Sequence, residues 1–209
     1  MKKVFCLIIL MVAASQTLFA QMTCDQGFQR LQDGNKRFRT DTSQHPNRTS
    51  ERRQEIAAKQ KPFAVIVGCS DSRVAPEILF DEGLGDLFIV RVAGNVVGPL
   101  EQDSIEYSVL YLDSVIVMVL GHENCGAVNA VVQGQTKDIE AVASLIFPAV
   151  SQTKKEPGDK LKNAIKANVR NVVSQLSTSP VLSDMIKKNK LCIKGGYYNF
   201  HTGEVEVLN

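Results

Sequence analysis

Three uninterrupted apolar runs constrain this chain more than anything else in it: "FAVIV" (63–67), "LFIVRV" (87–92) and "SVIVMVL" (114–120). Each is short, rich in β-branched residues and apolar over four or more consecutive positions rather than at every second one. A strand of that kind has no face to give to water, so it belongs inside a largely parallel sheet with helices on both sides. The segments between and after the runs read as those helices. "APEILFDE" is short, "LEQDSIEYSVLYL" is longer and amphipathic, "AVNAVVQG" begins another, and "DKLKNAIKANVRNVVSQLS" sets Ile165, Val169, Val172 and Leu176 on one side. "LCIKGGYYNF" and "EVEVL" flank the turn "HTGE" and read as a hairpin at the sheet edge. The expected fold class is α/β: a mainly parallel central sheet flanked by helices, with an antiparallel edge hairpin at the C-terminus. The sequence contains no internal repeat and no low-complexity block.

Ahead of the sheet, "CDQGFQRLQDGNKRF" spaces Phe28, Leu31 and Phe38 among polar residues as a short amphipathic helix would. A turn-rich stretch, "RTDTSQHPNRTS", leads into a second expected helix over "SERRQEIAAKQ", with Ser50 as its N-cap. The first twenty residues combine a basic "MKK", an apolar "VFCLIILMVAA" and a small residue at Ala20, the order of a secretory signal peptide cleaved near that point. The apolar part is short of the ~20 residues a membrane span needs, although an uncleaved anchor is the alternative. Cys24 lacks a convincing lipoprotein-type context. The division expected is a signal peptide at 1–20 and one domain at 21–209.

Removing Lys2 and Lys3 leaves 22 basic against 22 acidic residues. That balance gives no electrostatic reason to expect nucleic acid or anionic lipid as a partner, and no membrane contact beyond the signal peptide. "EIAAKQKP" and "DMIKKNK" read as solvated faces. Cys6 leaves with the signal, so Cys24, Cys69, Cys125 and Cys192 remain in a compartment where disulfides form. Cys24 and Cys192 read equally as paired, free or buried.

Cys69 and Cys125 differ, because each sits in a motif with more chemistry than a disulfide needs. "GCSDSRVAP" (68–76) follows the first apolar run and "LGHENCGAV" (120–128) is continuous with the third. Sites in open α/β sheets form beyond the carboxyl ends of strands, which puts both motifs on one rim. His122 and Cys125, three apart, can point at one ion where the chain turns into a helix, and Cys69 adds a second sulfur. Two sulfurs and one nitrogen suit tetrahedral zinc, with a fourth position left for water. Asp71 and Arg73 lie two residues apart, close enough for a fork-to-fork pair. The carboxylate then either orients a water on the ion or takes the fourth position itself, and Arg73 keeps it ionised and aimed.

"CSDSR", "RVAGN", "SIEY" and "GHENCGAV", in this order and spacing, resemble the β-class carbonic anhydrases, and the likeness runs from "FQRLQDGNKRF" to "GGYYNFHTGEVEVL". The resemblance implies a β-carbonic anhydrase-like domain with an N-terminal helical arm, and one zinc per chain on Cys69, His122 and Cys125. It implies Asp71 and Arg73 as the catalytic pair, with Asp71 a metal ligand only in a closed, water-free state. It also implies that Gln60 hydrogen-bonds substrate across a dimer interface, that Phe88 and Tyr107 form the apolar wall, and that the Gly126 backbone lies near the metal. A regulated subgroup carries Trp where this chain has Ile66, so the open, water-bearing kind is expected; Arg91 is shared by both kinds.

The function so implied is reversible hydration of carbon dioxide to bicarbonate, by a secreted, periplasmic zinc lyase acting as a homodimer or dimer of dimers. Two alternatives keep the zinc. One is hydrolysis of a sulfur analogue such as carbonyl sulfide or carbon disulfide, and the other is a non-catalytic zinc-binding protein. "VAGNVVG" has the wrong glycine pattern for a dinucleotide loop. His45 and His201 are remote from both motifs in the sequence and read as surface residues.

Overall fold

The computed structural model describes residues 22–208; the expected signal peptide, residues 1–20, lies outside the described residues. The three apolar runs become β1 (Ala64–Gly68), β2 (Leu87–Arg91) and β3 (Ile116–His122), with β1 parallel to both others. β4 (Cys192–Tyr198) adds to the far side of β3, again parallel, and β5 (Val205–Leu208) closes the edge antiparallel to it. The order is β2-β1-β3-β4-β5. The mainly parallel sheet with its antiparallel C-terminal hairpin is the expected architecture.

Every residue of β1 and β3 is buried, whereas β2 is only partly covered. The sequence treats the three runs alike; the difference arises because β2 is an edge strand. Alternation sorts the side chains into two cores. Val65, Val67, Val117 and Val119 face one side, packed with Ile146, Ile165, Val169, Leu176 and Leu182. Ala64, Ile66, Ile116 and Met118 face the other, against Leu31, Leu79 and Phe80.

The arm helix α1 (Cys24–Arg39) starts in a capping box: Gln26 N–H donates to the Thr23 hydroxyl, and the Gln26 side-chain carbonyl accepts from Thr23 N–H. It crosses close to Phe80, where only glycine fits, since a Cβ on Gly34 would sit 1.8 Å from the Phe80 carbonyl oxygen. Arg30 pairs with the buried Glu82, and Arg37 lies 2.6 Å from the buried Asp81. α2 (Ser50–Ile56) is shorter than expected, and its cap is Thr49, whose hydroxyl accepts from Arg52 N–H, not Ser50. Ser50 already lies in the first turn and turns its hydroxyl to Glu51.

α3 (Pro76–Leu79), α4 (Pro99–Tyr111), α5 (Gly126–Val132) and α7 (Lys160–Thr178) fall where the sequence places them. All four residues expected on the inner side of α7 are buried. Two helices were not anticipated. α6 (Glu140–Thr153) has no side-chain cap and carries Pro148 inside, yet it buries Ala143, Ile146 and Ala149. α8 (Pro180–Lys187) takes in half of "DMIKKNK", and that stretch is not simply a solvated face, because Met185 and Ile186 pack on the core.

Cys24 and Cys192 form a disulfide that ties the start of α1 to the start of β4, 168 residues apart in sequence. Cys69 and Cys125 are free thiols. Closing so long a loop restricts the unfolded chain, and disulfides typically contribute about 2–4 kcal/mol. Cys24→Ser is therefore expected to lower the unfolding free energy by about that amount, measured by urea titration followed by circular dichroism. Unchanged stability would show that the bridge does not form or does not hold the arm.

Candidate metal centre

β1 and β3 pair in parallel with Gly68 opposite Leu120, so both strands leave the sheet on one rim. Cys69 is the first residue past β1, His122 is the last of β3, and Cys125 is the N-cap of α5. Their ligating atoms lie within 4.8 Å of one another, and all three residues are buried. The His122 Nδ1 is 2.8 Å from the Glu123 carbonyl oxygen, which can only accept. Nδ1 therefore carries the proton and Nε2 the lone pair. That Nε2 is buried without any hydrogen-bond partner. An orphaned imidazole nitrogen facing two buried sulfurs fits a metal ion of the soft, tetrahedral kind.

The two thiols are unequal. A hydrogen bond from Cys125, together with the Gly94 and Asp71 backbone, overrides burial and holds Cys69 below the usual thiol range. The hydrogen bond to Cys69, with burial second, pushes Cys125 up. The Gly94 N–H lies 3.2 Å from the Cys69 sulfur. Gly94 has φ +72°, and a Cβ there would come 2.7 Å from Ile146. Glycine takes that φ without strain and leaves room for the N–H to reach the sulfur.

Asp71 and Arg73 form the expected fork. Arg73 Nε donates to Oδ1 at 2.9 Å and a terminal nitrogen to Oδ2 at 2.7 Å, while the Arg73 backbone N–H reaches Oδ1 at 3.0 Å. The Arg73 side-chain bonds, above all, hold the Asp71 carboxyl well below the usual carboxylate range. Asp71 is ionised throughout the neutral range, with Oδ2 3.9 Å from His122 Nε2.

Arg91 plays a part that sequence reasoning missed. From the end of β2 it donates to the carbonyls of Cys69 at 2.9 Å and Asp71 at 2.7 Å, fixing the loop that carries both. Glu123 and Phe200 were missed as well. Glu123 accepts the Phe200 N–H at 3.0 Å, and the Phe200 ring lies under Arg73 and beside His122. His201, remote from both motifs in the sequence, is brought within 3.9 Å of Glu123 in the fold, while His45 sits near Asp81, in the arm region.

Of the other expected site residues, Gly126 adjoins the cluster, whereas Phe88, Tyr107 and Gln60 stand away from it. Gly126, exposed, opens α5 next to Cys125. Phe88 and Tyr107 pair with each other, ring centroids 6.5 Å apart. Phe88 sits three residues before Arg91 on β2, about 10 Å back from the rim. Gln60, exposed, precedes β1, whose length alone separates it from the rim by about 13 Å.

Metal-site supports that touch no metal typically change affinity 10–100-fold. Arg91→Ala should weaken binding of a divalent metal by about that factor, read by competition with a chromogenic chelator, with the far-UV spectrum unchanged. Undiminished affinity would remove Arg91 from the site.

A family profile described as carbonic anhydrase matches residues 64–205. Carbonic anhydrase 2 of Mycobacterium tuberculosis is 38% identical over 183 residues, covering 83% of this chain and 87% of its own. Among solved structures, a Coccomyxa β-carbonic anhydrase in complex with acetazolamide is 28% identical with a TM-score of 0.67, covering 74% of this chain and 75% of that one. One of two tetrameric β-carbonic anhydrases from Sordaria macrospora shares the fold, with a TM-score of 0.69 at 22% identity, covering 75% and 85%. The rim cluster, the parallel sheet and these likenesses lead to one conclusion: the chain belongs to the β-class carbonic anhydrase family.

Proposed function

We propose that this chain hydrates carbon dioxide reversibly to bicarbonate and a proton, with one zinc ion held by Cys69, His122 and Cys125. The observation that carries this is the Asp71 carboxylate, forked by Arg73 and 3.9 Å from the unpartnered His122 nitrogen. When bound, the ion supplies a Lewis acid that acidifies water near neutral pH. Asp71, acceptor-only while ionised, would accept a hydrogen bond from the attacking water and so turn the water's lone pair toward the carbon. Arg73 keeps Asp71 charged and holds both carboxylate oxygens, which favours an open site over one closed by Asp71. A purely structural metal site has no use for that pair. The names of the relatives favour carbon dioxide over a sulfur analogue as substrate.

The apolar wall needs a second copy. Gln60, Phe88 and Tyr107 lie away from their own chain's cluster, on or beside a surface where Leu100, Tyr107 and Tyr111 are 77%, 47% and 70% exposed. β2 adds an uncovered sheet edge to that surface. Pairing it with another chain would bury the aromatic groups and bring Gln60 to the partner's pocket, and the Sordaria macrospora proteins are tetramers. Export is supported by the Cys24–Cys192 disulfide, which suits an oxidising compartment such as the periplasm. The exported protein should begin near residue 21 by mass spectrometry and sediment as a dimer or tetramer. Retention of Met1 overturns the cleavage, and an active monomer overturns the shared pocket.

Asp71→Asn keeps the size of the side chain but presents a donor where an acceptor is needed. It should retain about one zinc per chain by elemental analysis while losing on the order of 10²-fold in hydration rate. Arg73→Ala should fall in the same direction. Cys69→Ala, His122→Ala and Cys125→Ala should instead lose the metal. Wild-type rates in both Asp71→Asn and Arg73→Ala would make the pair structural and sink the mechanism.

A further inference from the structure

We infer that Phe200 is the positioning residue of the Asp71–Arg73 pair, acting through the face of its ring on the Arg73 guanidinium. The inference rests on the reading of that pair as catalytic. Arg73 is 52% exposed, and an exposed ion pair alone confines a long side chain only weakly. Its guanidinium carbon lies 4.3 Å from the Phe200 ring centroid, within the range of a cation–π contact. Held between that ring and the two oxygens of Asp71, the guanidinium loses the freedom that would otherwise release the carboxylate toward the metal.

The ring itself is fixed from several directions. It packs edge-on against Tyr198, at 5.3 Å and 88°, and tilted against His122, at 5.4 Å. Its backbone N–H donates to the Glu123 carboxylate at 3.0 Å. The Asn199 side-chain carbonyl accepts from His201 N–H and Thr202 N–H, both at 2.9 Å, and Gly203 at φ +71° completes the turn. Glu123 also accepts His122 Nδ1–H on its own carbonyl. One residue thus aims the metal-facing nitrogen of His122 and sets the ring beneath Arg73. A core-filling role would need only an apolar side chain of similar volume at 200. The guanidinium contact needs an aromatic face.

The test uses the zinc-loaded, processed protein. Phe200→Leu should lower kcat/KM for hydration about tenfold, part of the ~10² that a misplaced reacting group costs, with zinc content unchanged. Phe200→Tyr should stay within about twofold. In an Arg73→Ala background, Phe200→Leu should add nothing, since the residue it acts through is gone. In metal-stripped protein, phenylglyoxal should label Arg73 several-fold faster in Phe200→Leu than in wild type or Phe200→Tyr, read by peptide mass spectrometry. Pentafluorophenylalanine at 200 keeps the shape and removes the negative ring face, so it should behave like Phe200→Leu even where leucine disturbs folding. Additive losses in the double variant, equal losses in Phe200→Leu and Phe200→Tyr, or unchanged Arg73 labelling would overturn the proposal. If Arg73→Ala alone keeps the wild-type rate, the catalytic reading of the pair fails instead, and the labelling arm still reports whether Phe200 holds Arg73.

Discussion

The parallel pairing of β1 with β3 is the constraint on which everything else rests. With Ala64 opposite Ile116 and Gly68 opposite Leu120, the two strands run side by side and end on the same rim. An antiparallel arrangement of the same strands would send Cys69 and His122 to opposite ends of the sheet. Register matters as much as direction, because a slip of one residue turns every side chain of a strand to the other face. Val65 and Val67 would then trade cores with Ala64 and Ile66, and the loop carrying Cys69 would leave the sheet on the wrong side of His122. The two apolar cores therefore hold the ligand geometry as well as the fold.

On that frame, the rim is organised by backbone groups used twice. The Glu123 peptide continues the β3–β4 ladder by donating to Tyr198, while its carbonyl fixes the His122 ring. The Cys69 and Asp71 carbonyls belong to the loop after β1 and also receive the Arg91 side chain from β2. Gly94 offers its N–H to the Cys69 sulfur and its carbonyl to Asn168 of α7. These contacts tie Cys69, its loop and His122 to the elements around them.

Much of this was legible in the sequence, for reasons that are themselves physical. A strand with no polar position can only be covered on both faces, so "FAVIV" and "SVIVMVL" declared a parallel core. Reactive residues at the ends of such strands have one rim on which to meet, and the Asp71–Arg73 fork is a matter of two residues' spacing. What stayed hidden depends on partners distant in the chain. Arg91 reads as an ordinary strand residue until the Cys69 loop folds over it. Phe200 lies in a hairpin turn whose approach to Arg73 needs the whole sheet to be in place. α6 was missed because Pro148 argues against a helix, and Met185 and Ile186 were masked by the lysines beside them. Thr49 displaced Ser50 because either could cap, and only the backbone chooses between neighbours.

The bridge between Cys24 and Cys192 sets a sorting problem under any conditions oxidising enough to form it. The four cysteines among the described residues can pair in three ways, and Cys69 and Cys125, whose sulfurs approach each other in the folded rim, form the most tempting wrong partnership. A metal bound there would occupy both sulfurs and leave Cys24 and Cys192 as the oxidisable pair. Under such conditions metal binding and oxidation would compete for the same two sulfurs.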